Sequence, residues 1–208
     1  MFYCAKCGLR TCRGESTDYP AGCPCLDEQT RERVNQRFKE DEENLDIFQA
    51  SMRLDAQAKG TYPRIMETLC FAKELGVERV GLAFCVGLAK EADTVTRVFE
   101  HHGLTVDSVV CKCGSFKVDE FGMSNEALNR RGNEAVCDPV GQALWLEKAN
   151  TQLNVVLGLC VGHDTLFFKH SAAPVTVLAV KDKVLAHNPL GAVYMADNFY
   201  RSKLFPKK

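Results

Sequence analysis

Nowhere in its 208 residues does the chain carry an apolar run long enough for a membrane helix, which needs roughly 20 residues. Nor is there a surplus of either charge: 26 Lys and Arg stand against 27 Asp and Glu, a net charge of −1. A protein that grips a phosphate backbone needs a basic face, so no nucleic-acid partner and no membrane are expected. The start, Met1-Phe2-Tyr3-Cys4, has no basic segment leading into an apolar one, so no signal peptide is expected and the expected location is cytoplasmic. A Walker loop, a nucleophile elbow and a dinucleotide fingerprint are all missing.

What the chain has in excess is cysteine, with 11 in all. In a reducing cytosol these are not expected to form disulfides, and an odd number leaves one unpaired in any scheme. Cys70, inside Leu69-Cys70-Phe71-Ala72, reads as a core residue, because a free thiol packs like a small hydrophobe. The other cysteines fall at turn-like positions, and metal accounts for them better than packing does.

Residues 1–26 hold Cys4-x2-Cys7-x4-Cys12 and Cys23-Pro24-Cys25, set among Gly8, Gly14, Pro20 and Gly22. So little apolar surface cannot fold unaided, and a metal is expected to replace the core. The Cys4 and Cys7 pair has knuckle spacing for thiolate ligation. A zinc knuckle that merely staples the terminus fits as well as an iron–sulfur centre does.

The helical lead-in covers residues 27–76. From Asp27 to about Ala56 the periodicity is helical, with Val34, Phe38, Leu45, Phe48 and Met52 forming one apolar stripe. Gly60 and Tyr62-Pro63 restart a helix that Gly76 ends. Beyond it, short apolar strands at Arg79–Phe84, Val106–Val110, Leu153–Leu159 and Val175–Val180 alternate with helices at Leu88–His101, Pro139–Ala149, Asp164–His170 and Leu190–Tyr200. The expected fold is α/β: a Rossmann-like parallel sheet of two related βαβ units, preceded by helices and a small N-terminal Cys-rich metal module.

One phrase occurs twice at strand ends, as Phe84-Cys85-Val86-Gly87-Leu88 and Leu159-Cys160-Val161-Gly162-His163-Asp164. A strand that ends in Cys-Val-Gly and turns into a helix places its thiol at the carboxyl edge of the sheet, beside a helix start that favours the thiolate. Cys111-Lys112-Cys113 follows the second strand, and Cys137 precedes Asp138-Pro139, a cap with proline behind it. Cys85, Cys111 or Cys113, Cys137 and Cys160 are therefore expected to face one pocket, with Gly87 and Gly162 letting backbone amides approach whatever is held there. Four thiolates from separate loops suit a [4Fe–4S] cluster; zinc is the alternative, and inert packed thiols are the bland one. His163 is a candidate ligand or proton carrier and equally a residue bonded to a carbonyl. Asp164 reads as a helix cap, His187 in His187-Asn188-Pro189 as a turn residue that could face the site, and Lys181 and Lys183 as solvated.

On Cys4-x2-Cys7-x4-Cys12, Cys23-Pro24, Arg79–Leu88, Cys137-Asp138-Pro139, Gly158–Asp164, Ala173–Val177 and Ala186-His187-Asn188-Pro189, the chain resembles a domain family of unknown function described as predicted metal-binding proteins of anaerobic prokaryotes. The resemblance implies metal binding and no particular reaction. It weakens Cys25 as a ligand and favours Cys111 over Cys113. The expected function is that of an iron–sulfur protein in redox chemistry, with a redox partner protein. The alternative is a non-catalytic zinc-binding or metal-handling protein. A metal-free thiol oxidoreductase is the weakest reading, because Cys4 and Cys7 lie in a glycine-rich loop rather than at a helix start.

Overall fold

The structure is a computed structural model that describes residues 2–14, 16–129 and 134–207. The chain divides into two compact units, Met1–Arg53 and Leu54–Lys208.

In the first unit, single 3₁₀ turns at Cys4–Lys6, Thr11–Arg13 and Pro24–Leu26 contain Cys4, Cys12 and Cys25, and Cys7 and Cys23 cap them. Asp27 then caps helix α1 (Glu28–Glu40), accepting the Thr30 N–H at 3.0 Å. The long helix read from the periodicity is in fact two, because the chain turns at Asp41 and restarts as α2 (Glu42–Ala58). Asp41 holds the restart through Asn44, whose Nδ2 donates to its carboxylate at 2.9 Å. The expected apolar stripe is consequently broken and not buried. Val34, Leu45, Phe48 and Met52 are all exposed, while Phe38 meets Phe48 across the turn with ring centroids 5.0 Å apart.

The second unit is a three-layer α/β fold. Four strands, β1 (Arg79–Phe84), β2 (Thr105–Val110), β3 (Leu153–Leu157) and β4 (Val175–Ala179), form one sheet in the order β2-β1-β3-β4. All three pairings are parallel. Helix α3 (Arg64–Glu74) precedes β1, and α4 (Ala89–His101), α5 (Pro139–Lys148) and α6 (His163–His170) make the crossovers. Side chains alternate along each strand. Val80, Leu82, Val155 and Leu157 pack with Leu69, Ala72, Val95 and Phe99 of α3 and α4, whereas Ala83 and Val156 pack with Ala143, Leu146 and Phe167 of α5 and α6. The chain therefore leaves β1 toward one face of the sheet and β3 toward the other, and the switch point lies between these neighbours.

The C-terminal helix expected over Leu190–Tyr200 is two short pieces, α7 (Leu190–Tyr194) and α8 (Arg201–Leu204). Among the described residues no helix is long and apolar enough to cross a membrane.

Candidate functional site

The register shows how the sheet presents its thiols. Phe84 stands beside both Val110 and Leu157, so the three strand ends are level. Cys85 and Cys111 each follow the last strand residue, and the ladder continues through them: Cys85 N–H donates to Leu157 O at 3.1 Å and Cys111 N–H to Phe84 O at 2.9 Å. The two Cys-Val-Gly phrases, which two related βαβ units would put in equivalent places, are not equivalent in space. Cys85 is level with Gly158, and Cys160 lies two residues further along, because Gly158 (φ +68°) turns the chain before the thiol is reached. A side chain at Gly158 would run into Leu88.

Cys137 enters from the fourth direction. Asp138 N–H donates to Cys111 O at 2.6 Å, and Asp138 Oδ1 then accepts Gly141 N–H at 2.7 Å to cap α5. This anchor brings Cys137 Sγ to 3.6 Å from Cys111 Sγ. Two thiolates on one tetrahedral metal, each about 2.3 Å from it, stand roughly 3.8 Å apart. The Val86 N–H lies 3.4 Å from Cys111 Sγ, a backbone amide aimed at sulfur as in ligand thiolates.

The thiols also respond to one another. The proton shared with Cys111 holds the Cys137 thiol down at about 7, against burial and the charges of Cys160 and Cys85, which raise it; Lys112 lowers it further. The same shared proton, followed by burial, pushes Cys111 far above the ordinary thiol range, while Val86 N–H and then Cys85 act to lower it. Cys85, Cys111, Cys137 and Cys160 thus fall within one electrostatic neighbourhood, with Cys111 and Cys137 in contact. Cys113 turns aside: its Sγ lies 3.9 Å from Asp138 O, and it lines a different cleft with Trp145 and Lys148. Burial and Asp138 raise its thiol. Among the described residues, no three His, Cys, Asp or Glu side chains form a group that could hold a metal ion as they stand. The donors at hand are a preformed Cys111–Cys137 pair with Cys85 and Cys160 beside it.

In metal-free, reduced protein this geometry has a kinetic signature. The thiolate is the nucleophile, so alkylation of Cys137 should accelerate as pH rises through about 7 and then level off. A thiol with an ordinary value would still be accelerating above about pH 8. Iodoacetamide labelling followed by peptide mass analysis measures this directly.

Gln142 secures the strand ends from below. Fully buried on α5, it donates through Nε2 to Val109 O at 2.7 Å and Phe84 O at 3.2 Å, while its Oε1 is buried without a partner among the described residues. No sequence motif marks this residue.

His163 is the first residue of α6 and is half-buried; its N–H and that of Asp164 donate to Cys160 O at 2.9 and 3.1 Å. Asp164 is not the cap residue: Gly162 (φ +87°) holds that position, and Asp164 Oδ1 accepts the Gly162 and Thr165 N–H groups from within the first turn. His187 closes the loop after β4, with Asp182 N–H donating to its Nδ1 at 3.1 Å. Lys181 differs from expectation: it is half-buried, and its ammonium reaches toward Gly87 and Gly158. A lysine two residues past an apolar strand shares the carboxyl edge with the strand-end thiols, and that offset was the available signal.

In the N-terminal unit, Cys4, Cys7 and Cys23 line one cleft with Tyr3, Pro20 and Gly22. The backbone N–H groups of Arg10 and then Leu9 lower the Cys7 thiol, as expected of a knuckle that turns amides toward its sulfur. Cys25 is raised by its bond with Cys23, then by burial, with the charges of Cys23 and Cys12 adding. Cys4 and Cys12 are exposed, and Cys70 is half-buried on α3.

Sheet order, crossover faces and strand-end cysteines define the class: a Rossmann-like α/β protein that gathers thiols at its switch point. The chain belongs to the family described as "Protein of unknown function (DUF1847)", which matches residues 23–178. It is 36% identical over 206 residues to the uncharacterized protein MJ0455 of Methanocaldococcus jannaschii, covering 99% of each chain. No solved structure matches.

Proposed function

We propose that this is a thiolate-ligated metal protein, with an iron–sulfur cluster held at the switch point by Cys85, Cys111, Cys137 and Cys160 and used in electron transfer with a redox partner protein. The observation that carries the reading is the Cys111–Cys137 sulfur pair, 3.6 Å apart at the edge where Cys85 and Cys160 also emerge. That spacing fits two thiolates on one metal atom, as on a single iron of a [2Fe–2S] cluster, rather than on different irons of a [4Fe–4S] cubane. It arises from ladder bonds and a helix cap rather than from close sequence spacing. Ligands drawn from separate loops favour a cluster over zinc, whose sites more often use close pairs on one loop. Once bound, such a cluster supplies one-electron chemistry. The chain's own part is to present deprotonated sulfur, aim the Val86 amide at Cys111, and keep the strand ends level through Gln142.

A second metal in the N-terminal unit, held by Cys4, Cys7, Cys12 and Cys23 with Cys25 as a weaker candidate, is part of the same proposal. The Arg10 and Leu9 amides turned toward Cys7 support it.

Elemental and acid-labile sulfide analysis of protein purified without oxygen tests the reading. Iron with matching sulfide is expected. Zinc without sulfide would move the assignment to a metal-handling protein, and the absence of both metals would end it.

A further inference from the structure

We infer that Lys181 forms an anion-binding subsite beside the switch-point thiols, suited to the carboxylate or phosphate of a small molecule. This goes beyond the metal proposal and holds whatever the thiols carry.

Two independent chain segments converge on the ammonium. A Cβ built at Gly87, after β1, would lie 3.8 Å from Lys181 Nζ and 3.9 Å from Cys85 Sγ. A Cβ built at Gly158, after β3, would also lie 3.8 Å from Lys181 Nζ. The cation thus sits over the gap between the neighbouring strands where the crossover direction reverses. Open α/β sheets bind their ligands there. Leu88 fills the space beside Gly158, but at Gly87 a built Cβ meets nothing nearer than the ammonium and the Cys85 sulfur, so a small ligand could reach the cation from the Gly87 side.

The backbone that carries the lysine is held in place. Its N–H donates to Leu159 O at 3.1 Å, which ties it to the segment leading to Cys160. The next residue is locked on both sides: Asp182 N–H donates to His187 Nδ1 at 3.1 Å, and Asp182 Oδ1 accepts the Val184 and Leu185 N–H groups, each at 2.9 Å. Asp182 is therefore spent on its own loop and does not neutralise its neighbour. Among the described residues no carboxylate forms an ion pair with Lys181, although Arg79, Arg97, Lys112 and Arg201 all have one. A half-buried lysine with no carboxylate partner gives up part of its hydration without an ion pair in return. An anionic ligand supplies the missing charge. One lysine is a point charge on a flexible stem and lacks the fork that recognises an anion through two parallel bonds, so the ligand is a single small oxyanion.

Calorimetric titration of the full-length protein, as purified and at low ionic strength, with inorganic phosphate in one arm and acetate in the other, tests the assignment. Saturable binding in at least one arm is expected, and the stronger arm tells phosphate from carboxylate chemistry. Lys181→Met should weaken that binding about tenfold or more, Lys181→Arg should largely restore it, and Lys183→Met, two residues on and exposed, should leave it unchanged. No saturable binding to the wild-type chain in either arm overturns the inference, whatever the variants do. So does binding that Lys181→Met leaves intact, or that Lys183→Met weakens equally. Metal content measured on the same samples should be unaltered by Lys181→Met, which separates failure of this subsite from failure of the metal proposal.

Discussion

Replacing Cys85 and Cys160 together by serine is expected to remove the metal proposed for the switch point while leaving the α/β unit folded. Serine preserves the shape but offers a hard, protonated oxygen where iron and zinc bind soft thiolate. Neither thiol belongs to the buried interior, since both are half-exposed at strand ends, so the packing cost is small. The remaining Cys111–Cys137 pair supplies only two sulfurs at 3.6 Å, too few to retain a cluster. Any metal that survives should equal what the N-terminal thiols hold. Metal content and the visible absorption of the anaerobic variant, with far-ultraviolet circular dichroism as the folding control, measure the outcome. Undiminished metal would mean that the sheet edge holds none.

Gly81→Ala should produce the largest loss of stability of any single methyl addition in the sheet. Gly81 lies in the middle of β1 opposite Asn154 of β3, on the face covered by α5. A methyl group there would fall onto Asn154 Oδ1 and lie 2.9 Å from Leu146 Cδ1. Asn154 is buried and cannot withdraw freely. Its Oδ1 accepts Thr151 Oγ1 at 2.8 Å, its Nδ2 donates to Ser171 Oγ at 2.8 Å, and Ser171 Oγ donates to Ala173 O at 2.7 Å. Overpacking alone costs about 1–3 kcal/mol, and each buried polar group left unpaired adds about 1–3 kcal/mol. A loss of about 3 kcal/mol or more is therefore expected in urea unfolding. A change below about 1 kcal/mol would mean that the Asn154 network is not held as described.

The fold was legible because its signals are local. Val80, Leu82, Val155 and Leu157 sit in short apolar runs closed by turns, and each run became a parallel strand within two residues of its expected limits. Periodicity alone joins the lead-in helix across Asp41, whose turn-forming side chain outcompetes continued helix and splits the stripe. The candidate site was legible only in part. Strand-end cysteines reveal which edge they occupy, but the two-residue offset of Cys160 depends on the left-handed turn at Gly158, which no spacing rule conveys. Selection of Cys111 over Cys113 depends on the Asp138-to-Cys111 backbone bond. Gln142 carries no sequence mark and Lys181 reads as solvated because the surroundings of each are tertiary: one bonds to two strands at once, and the other acquires its neighbours only when β1, β3 and β4 lie side by side.

The central claim is that the sheet edge, and not only the N-terminal segment, binds a metal centre. The most direct measurement uses the full chain with Cys4, Cys7, Cys12, Cys23 and Cys25 all changed to serine, purified without oxygen, and assayed for iron and acid-labile sulfide, with electron paramagnetic resonance after reduction. The account predicts iron and sulfide in equal amounts and the signal of a reduced cluster. Protein that folds but carries no iron, sulfide or zinc above trace would contradict it.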